Sequence, residues 1–207
     1  MKTWTDEARD HVRLILQAIL SDASPQKLMR TLRREADDII LPDGARVRVA
    51  GRAVRCIAVG KAAGGMAAHA QPWGPFTEAL VIAPHEVDIP GFDAIVAGHP
   101  LPDPASFVAG ARMLALARAT RPEDLLILLL SGGASALAEA TPIPLDDIRR
   151  LHQMLLHASA NIAEVNTVRR HLSNLKGGGL ALACKGEILV IAISDVEPDD
   201  IASLGSG

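Results

Sequence analysis

Short, continuously apolar runs alternate along most of the chain with segments in which apolar residues recur every three or four positions. The apolar runs predict β-strands buried on both faces, and the periodic segments predict amphipathic helices. The predicted strands span residues 54–59, 79–83, 94–97, 125–130 and 188–193. The predicted helices span residues 62–70, 104–119, 145–158 and 161–175, with a short one after Gly179. This alternation indicates a parallel sheet covered by helices on both sides.

The first 45 residues follow a different pattern. Residues 5–20 have helical periodicity, and Ser24-Pro25 has the residue types of an N-cap and a first helical position, which predicts a second helix to about Ile39. The sequence therefore predicts a helical arm over residues 1–45. Residues 46–207 are predicted to form a Rossmann-like α/β core, a three-layer sandwich around a mostly parallel sheet.

Composition narrows the classes of function. The 207 residues carry a formal net charge of −3 and only 2% aromatic residues, so the chain lacks both the basic field and the stacking residues of a nucleic-acid-binding protein. Cys56 and Cys184 lie far apart in apolar surroundings, which indicates reduced thiols. The start is polar, and the longest aliphatic run, residues 125–130, is too short to span a membrane. We expect a cytoplasmic protein with no membrane partner.

The first candidate for chemistry is a strand end that carries a lysine. Gly60-Lys61 closes the first predicted strand and opens a helix, so a bound anion would meet both the Lys61 ammonium and the helix N-terminus. The spacing GxxxxGK[ST] of a P-loop is absent. The alternative is an ordinary strand-to-helix turn with a solvated lysine.

The second candidate is the segment Ser131-Gly132-Gly133-Ala134-Ser135, which follows the most apolar predicted strand. It offers several backbone N–H groups and two hydroxyls, a combination that binds phosphate or carboxylate. The alternative is that the two glycines only permit a strand and a helix to pack closely.

The third candidate combines a polar helix with a glycine turn. Its functional groups are those of Asn166, Arg169, Arg170, Lys176, Gly177 and Gly178. The first three are spaced at i, i+3 and i+4, which places them near one face of a helix. The glycines allow the backbone to approach a ligand closely. The alternative is a helix with solvated arginines and a glycine C-cap.

Carboxylates follow the last predicted strand. Asp195 stands at the strand end, and Asp199 and Asp200 come four and five residues later. Such a set suits Mg²⁺ bound through few protein ligands and several waters, and the alternative is an acidic surface loop. His99, which follows the third predicted strand, is interpreted as structural, and none of the histidines has the spacing of a metal site.

Taken together, these motifs resemble the glycerate 2-kinases that carry a C-terminal MOFRL domain, a family with the older label hydroxypyruvate reductase. The resemblance is to the N-terminal domain of that family, DUF4147, and covers essentially the whole chain. In chain order its motifs are residues 59–63 with Met66, residues 98–103, 131–137, 166–173 and 175–178, and residues 194–196 with Asp199 and Asp200. Each motif alone is weak or moderate, whereas six in this order are highly specific.

The resemblance implies ATP-dependent phosphorylation of the 2-hydroxyl of D-glycerate, with Mg²⁺, to give 2-phosphoglycerate. It also implies that residues 1–207 are the N-terminal domain and that the MOFRL domain is absent from this chain. Because the active site of such enzymes lies between the two domains, we expect the fragment to be inactive alone. The oligomeric state stays open, a homodimer included.

On this reading, Lys61 neutralises charge on the transferred phosphoryl group, and Asp195 either holds the metal or accepts the proton of the substrate hydroxyl. Arg169 or Lys176 holds the glycerate carboxylate or a phosphate oxygen. The hypothetical substrate- and phosphate-binding set is Gly60, Ser131, Gly132, Gly133, Ser135, Asn166, Arg169, Arg170, Lys176, Gly177 and Gly178. Mg²⁺ is assigned to Asp195, Asp199 and Asp200.

Two other classes of protein are alternatives. An NAD(P)H-dependent hydroxypyruvate reductase needs a dinucleotide site, but no GxGxxG follows any predicted strand. A non-catalytic phosphosugar-binding module would use the loop of residues 131–135 equally well, with the polar helix as its sensor.

Overall fold

The computed structural model of the chain describes residues 6–158, 161–194 and 205–206. Its helices are α1 Asp6–Asp22, α2 Pro25–Leu28, α3 Ala63–Ala70, α4 Pro104–Ala119, α5 Ala134–Leu137, α6 Leu145–His157, α7 Ile162–Leu172 and α8 Gly179–Ala183. Its strands are β1 Arg33–Glu35, β2 Asp38–Ile40, β3 Arg46–Arg48, β4 Val54–Val59, β5 Glu78–Ala83, β6 Asp93–Val96, β7 Leu125–Ser131 and β8 Glu187–Ile193. A short 3₁₀ helix, Gln71–Trp73, follows α3.

The core is a five-stranded parallel sheet in the order β6-β5-β4-β7-β8. All six residues of β4 are buried, and this strand pairs with β5 on one side and β7 on the other. A strand in that position needs apolar side chains on both faces, which is why its sequence reads as a continuous apolar run. The predicted parallel α/β core is therefore confirmed.

Two hydrophobic clusters cover the two faces of this sheet. On one face, Cys56 of β4 and Met66 of α3 belong to the same buried cluster. On the other face, Ile57 of β4 packs in a cluster with Met113 of α4. Helix, sheet and helix form three layers, as predicted. None of the helices within the described part of the chain combines the length and the apolar content needed to cross a membrane.

The predicted arm of helices over residues 1–45 is wrong in its second half. Helix α2 ends at Leu28 instead of continuing to Ile39, and β1, β2 and β3 form a separate antiparallel sheet. Burial explains the difference, because Met29 and Ile39 are 1% and 0% exposed and join the core cluster beside α3. The three residues of β1 are all charged and lie at the surface, and tertiary packing outweighs their helical propensity.

A buried ion pair fixes the amino end of the central strand. The guanidinium Nη1 of Arg55 lies 3.0 Å from Oδ2 of Asp124, and these residues are only 8% and 4% exposed. Asp124 also accepts a hydrogen bond of 2.9 Å from the backbone N–H of Arg121. The pair thus joins β4 to the turn that precedes β7.

Removing the carboxylate of this pair should be strongly destabilising. We expect Asp124→Ala to lower the free energy of unfolding by about 3 kcal/mol, because it leaves the buried charge of Arg55 with only the exposed Glu78 at 3.2 Å. Asp93→Ala, which breaks the exposed pair with Arg112, is the matched control and should cost less than about 1 kcal/mol. Urea unfolding of both variants measures the difference, and equal losses would contradict a structural role for the buried pair.

Candidate anion-binding site

The site lies at the carboxyl edge of the parallel sheet, where the strand order reverses. The crossover from β4 to β5 passes through α3 on one face, whereas the crossover from β6 to β7 passes through α4 on the other. Because β4 and β7 are neighbours in the sheet, the loops that follow them lie side by side at this point of the edge. In open α/β sheets this position is the usual ligand site.

The loops after β4 and β7 are locked together by their backbones. The N–H of Lys61 donates to the carbonyl of Gly132 at 2.9 Å, and the N–H of Ala62 donates to Oγ of Ser131 at 3.1 Å. Gly60 has a φ of +127°, and a Cβ on it would lie 2.5 Å from the carbonyl oxygen of Ser131. Only glycine fits this contact, so the first two segments predicted as ligand-binding form one unit.

The backbone amides at the start of α3 are already engaged. Those of Lys61 and Ala62 bond to the loop after β7, and that of Ala63 donates to the carbonyl of Gly60 at 3.2 Å. An anion therefore does not meet these three amides, and the expected contact with the N-terminus of α3 stays a prediction for the amides that follow them. The exposed side chain of Lys61 is the group that this loop presents to an anion.

His99 belongs to the same edge, although the sequence pattern led us to interpret it as structural. A Cβ on Gly133 would lie 3.0 Å from Cδ2 of His99 and 3.3 Å from Cγ of Lys61, so the three residues meet in one place. Burial, and then the positive charge of Lys61, lower the pKa of His99 below its ordinary value. The imidazole is therefore neutral at physiological pH, and its position after β6 is the signal in the sequence that could have placed it here.

The end of the described chain links the second and third segments. Oγ of Ser206 lies 2.6 Å from Oγ of Ser135 and donates to Oδ1 of Asn166 at 2.8 Å. Asn166 and Ser206 are 3% and 1% exposed. The loop after β7 and helix α7 are thus connected by a buried chain of hydrogen bonds.

Helix α7 and the glycine turn after it also contact each other. A Cβ on Gly177, which has a φ of +60°, would lie 3.2 Å from Cβ of Arg170. The turn closes on itself, because the N–H of Gly179 donates to the carbonyl of Lys176 at 3.1 Å. Gly178, with a φ of +84°, begins α8. The glycine turn therefore packs against helix α7, so the two parts of the third candidate lie next to each other.

Lys176 lies below this surface in an ion pair. It is 5% exposed, and its Nζ lies 2.5 Å from Oε2 of Glu139 and 3.2 Å from the carbonyl of Ala138. Burial lowers the pKa of Lys176, while the charge of Glu139 and the hydrogen bond to it act in the opposite direction. The buried Glu139 had no signal in the sequence, because it lies 37 positions before its partner.

Two more side chains complete this cluster, which we call the buried polar cluster: Glu139, His152, Arg169 and Lys176. Burial lowers the pKa of Arg169, and the charge of Glu139 opposes this. Burial, then the charges of Arg169 and Lys176, lower the pKa of His152 to about 4. Within the described residues, Nδ1 of His152 and Nε of Arg169 are buried without a hydrogen-bond partner.

The carboxylates predicted to hold a metal, Asp195, Asp199 and Asp200, lie outside the described residues. Within the described ranges, no group of three or more His, Cys, Asp or Glu side chains is arranged to hold a metal ion. The magnesium assignment therefore stays a prediction from the sequence.

The fold and this edge define an α/β protein of Rossmann-like topology whose sheet carries lysine and glycine residues at its carboxyl edge. The chain belongs to the family described as a domain of unknown function, DUF4147, whose sequence profile matches residues 11–207. The resemblance to this family that the motifs predicted is thereby confirmed.

Several relatives with assigned names are similar to the chain. A glycerate 2-kinase of Pyrococcus horikoshii is 34% identical over 200 residues, which are 95% of this chain and 45% of the relative. A protein of Agrobacterium vitis that is provisionally named hydroxypyruvate reductase is 33% identical over 213 residues, which are 99% of this chain and 46% of the relative. The chain thus spans about half the length of these curated relatives.

Solved structures agree with the fold. A crystal structure of a glycerate kinase from Thermotoga maritima matches with a TM-score of 0.78 and 29% identity, over 98% of this chain and 48% of that one. A crystal structure of a Pyrococcus horikoshii protein matches with a TM-score of 0.83 and 33% identity, over 100% of this chain and 48% of that one.

The contact at Gly60 gives a direct test of the site's construction. We expect Gly60→Ala to lower the free energy of unfolding by more than about 2 kcal/mol, because the new Cβ meets the backbone of Ser131 and the positive φ strains an alanine. Gly44→Ala is the control, since Gly44 has a φ of +85° with open space around its Cβ position, and it should cost about 1 kcal/mol. Denaturant unfolding compares the two, and an equal cost would contradict the tight contact.

The lowered pKa of His152 predicts a pH dependence of stability. Because the folded-state pKa of about 4 is below the unfolded value near 6.5, the unfolded chain binds the proton first, and stability falls as pH drops from about 6.5 to 4. Between pH 7 and 4.5, we expect the wild type to lose about 2 kcal/mol more than His152→Gln. Urea unfolding at both pH values measures this, with His157→Gln on the exposed side of the same helix as control. Parallel losses in wild type and His152→Gln would refute the prediction.

Proposed function

We propose that this chain is the N-terminal half of a glycerate 2-kinase, which transfers the γ-phosphoryl group of ATP to the 2-hydroxyl of D-glycerate. Membership of DUF4147 and the names of several relatives support the reaction. The observation that carries the proposal is the packing of Gly60 and Lys61 against the loop after β7, at the switch point of the sheet. That arrangement fixes the backbone of the exposed Lys61 at the edge where ligands bind in such sheets.

The proposed roles follow from what phosphoryl transfer demands. Such reactions need positioning and neutralisation of charge more than covalent chemistry by the protein. Lys61 is exposed at the strand end and neutralises charge on the transferred group. The loop of residues 131–135 holds a phosphate, and its conformation is set by the hydrogen bonds of Ser131 and Ser135 within the protein. His99, beside Lys61, is a neutral hydrogen-bonding group for the same ligand.

Helix α7 supplies the remaining polar groups. Asn166 faces the loop after β7 through Ser206, and Arg169 and Arg170 follow one turn later. These cations suit a second anionic group, either another phosphate or the carboxylate of the substrate. In the proposed enzyme, α7 therefore supplies a second cationic part of the site, next to the loop after β7.

ATP and Mg²⁺ are the proposed cofactors. The cationic, glycine-lined edge fits the phosphates of ATP. Mg²⁺, when bound, bridges phosphate oxygens and neutralises their charge. Asp195, Asp199 and Asp200 are the proposed metal ligands on the grounds of residue type and spacing alone. In the sequence, Asp195 follows Ser194, the residue after the end of β8.

We further propose that residues 1–207 act together with a C-terminal domain of the MOFRL type. The relatives are about twice as long as this chain, which supports a second domain in the complete enzyme. The ligand-binding edge would then face that domain, and efficient turnover would need both.

A hydroxypyruvate reductase is the second candidate function. The name of the Agrobacterium vitis relative favours it, and so does the strand order, which is shared with dinucleotide-binding folds. However, the turn after the first core strand reads Gly60-Lys61-Ala62-Ala63-Gly64, without the GxGxxG spacing. Its first amides are occupied by the loop after β7, so they do not bind a pyrophosphate.

Ligand-induced stabilisation distinguishes these functions. We expect MgATP at ten times its Kd to raise the Tm of the chain by about 3–6 °C, because binding to the folded state alone stabilises it. NADH should give no shift. Lys61→Ala should reduce the effect of MgATP, whereas Lys185→Ala, which removes an exposed lysine away from this edge, should not.

Each of the other possible outcomes would support a different function or remove a proposed residue. A shift with NADH alone would replace the kinase by the reductase. A shift with a sugar phosphate but not with MgATP would favour the binding module. An unchanged MgATP effect in Lys61→Ala would remove Lys61 from the proposed site.

A further inference from the structure

The buried polar cluster carries a net charge that needs explaining. It contains one carboxylate, Glu139, and two cations, Arg169 and Lys176. The fourth member, His152, is neutral at physiological pH because its pKa is lowered to about 4. Among the described residues the cluster therefore holds one positive charge in excess, on the partly buried Arg169, and a charge withdrawn from water is unfavourable without a partner.

The two cations of the cluster are not equivalent. Lys176 is bound by Glu139 at 2.5 Å and by the carbonyl of Ala138, so its charge is already matched. Arg169 has a buried Nε without a partner among the described residues, and Nδ1 of His152, a 2% exposed side chain, is in the same condition. Buried polar atoms of this kind are rare in folded proteins, and each calls for a ligand or a solvent molecule.

We propose that Arg169 and His152 form a subsite for the carboxylate of a small hydroxy acid, held in place by Glu139 and Lys176. This inference rests on the proposed function, in which that hydroxy acid is D-glycerate. A carboxylate carries the single negative charge that the cluster requires. Its oxygens accept hydrogen bonds from Nε of Arg169 and from a protonated Nδ1 of neutral His152.

The backbone around Glu139 makes the subsite rigid. The N–H of Glu139 donates to the carbonyl of Ser106 at 3.0 Å, and a Cβ on Gly110 would collide with the carbonyl of Glu139. The next carbonyl, that of Ala140, accepts from the N–H of Asn174 at 2.7 Å. Helix α4 and the end of α7 therefore hold Glu139 from two sides, so that its charge keeps a fixed position relative to Arg169.

The subsite lies behind the loop that is proposed to bind phosphate. Ala138, which binds Lys176, comes directly after α5, and α5 begins at the end of that loop. Arg169 lies one helical turn from Asn166, which the hydrogen-bond chain connects to Ser135. A carboxylate bound by Arg169 would thus place the neighbouring hydroxyl of the acid toward the phosphate loop. In this assignment Lys176 is a positioning residue, and the ligand contact belongs to Arg169.

The test is calorimetric binding of D-glycerate to the 207-residue chain, with glycerol as the analogue that lacks the carboxylate. We expect binding of D-glycerate only, and a Kd raised about 10- to 100-fold in Arg169→Gln, as for loss of a hydrogen bond between charged groups. Arg169→Lys keeps the charge but not the guanidinium geometry and should lose about tenfold. Arg150→Gln, an exposed arginine on α6, is the matched control and should bind as the wild type does.

MgATP binding is measured on the same variants, so that the two proposals can fail separately. Unchanged glycerate affinity in both Arg169 variants, or equal binding of glycerol, would overturn the carboxylate subsite and leave the kinase proposal standing. Loss of MgATP binding with unchanged glycerate binding in Arg169→Gln would also overturn it, because the arginine would then serve the nucleotide. Failure of the wild type to bind MgATP, with carboxylate-dependent binding of D-glycerate retained, would support the subsite and count against the kinase.

Discussion

The contact between Gly60 and Ser131 is the interaction on which the rest of the candidate site depends. It brings together the ends of the two central strands at the point where the strand order reverses. Any side chain at Gly60 would separate the loops and break the hydrogen bond from Lys61 to Gly132. The side chain of Lys61 and the ring of His99 then meet beside Gly133 at this edge.

The positive charges of the candidate site differ in burial. Lys61 lies at the surface, where water lowers the cost of its charge, whereas Arg169 and Lys176 lie deeper, where a charge needs a partner. Glu139 supplies one partner, and the low pKa of His152 prevents a third positive charge from forming. In the proposed enzyme, the partly buried cations would bind the carboxylate of the substrate, and the exposed Lys61 would bind the phosphates of the nucleotide.

The sequence predicted the core well because the core has few physical solutions. An apolar run such as that of β4 fits a strand that is buried on both faces. Such a strand requires helices that cover both sides of the sheet. The antiparallel sheet of β1, β2 and β3 was missed because its strands are three residues long and rich in charge. Their place depends on burial of Ile39 against α3, which a local pattern does not contain.

The sequence indicated which loops form the candidate site, but it did not indicate which of their charged side chains are exposed and which are buried. The order of motifs located the loops, but Lys61 and Lys176 look alike in sequence, since each stands beside glycines at the end of an element. The difference between them is the position of Glu139, which pairs with Lys176. The backbone of Glu139 packs directly against Gly110 of α4, where a larger residue would not fit. Burial by a distant segment thus makes Lys176 a structural cation and leaves Lys61 exposed, and because Glu139 is taken up by Lys176, Arg169 is the cation that the proposed subsite assigns to a ligand.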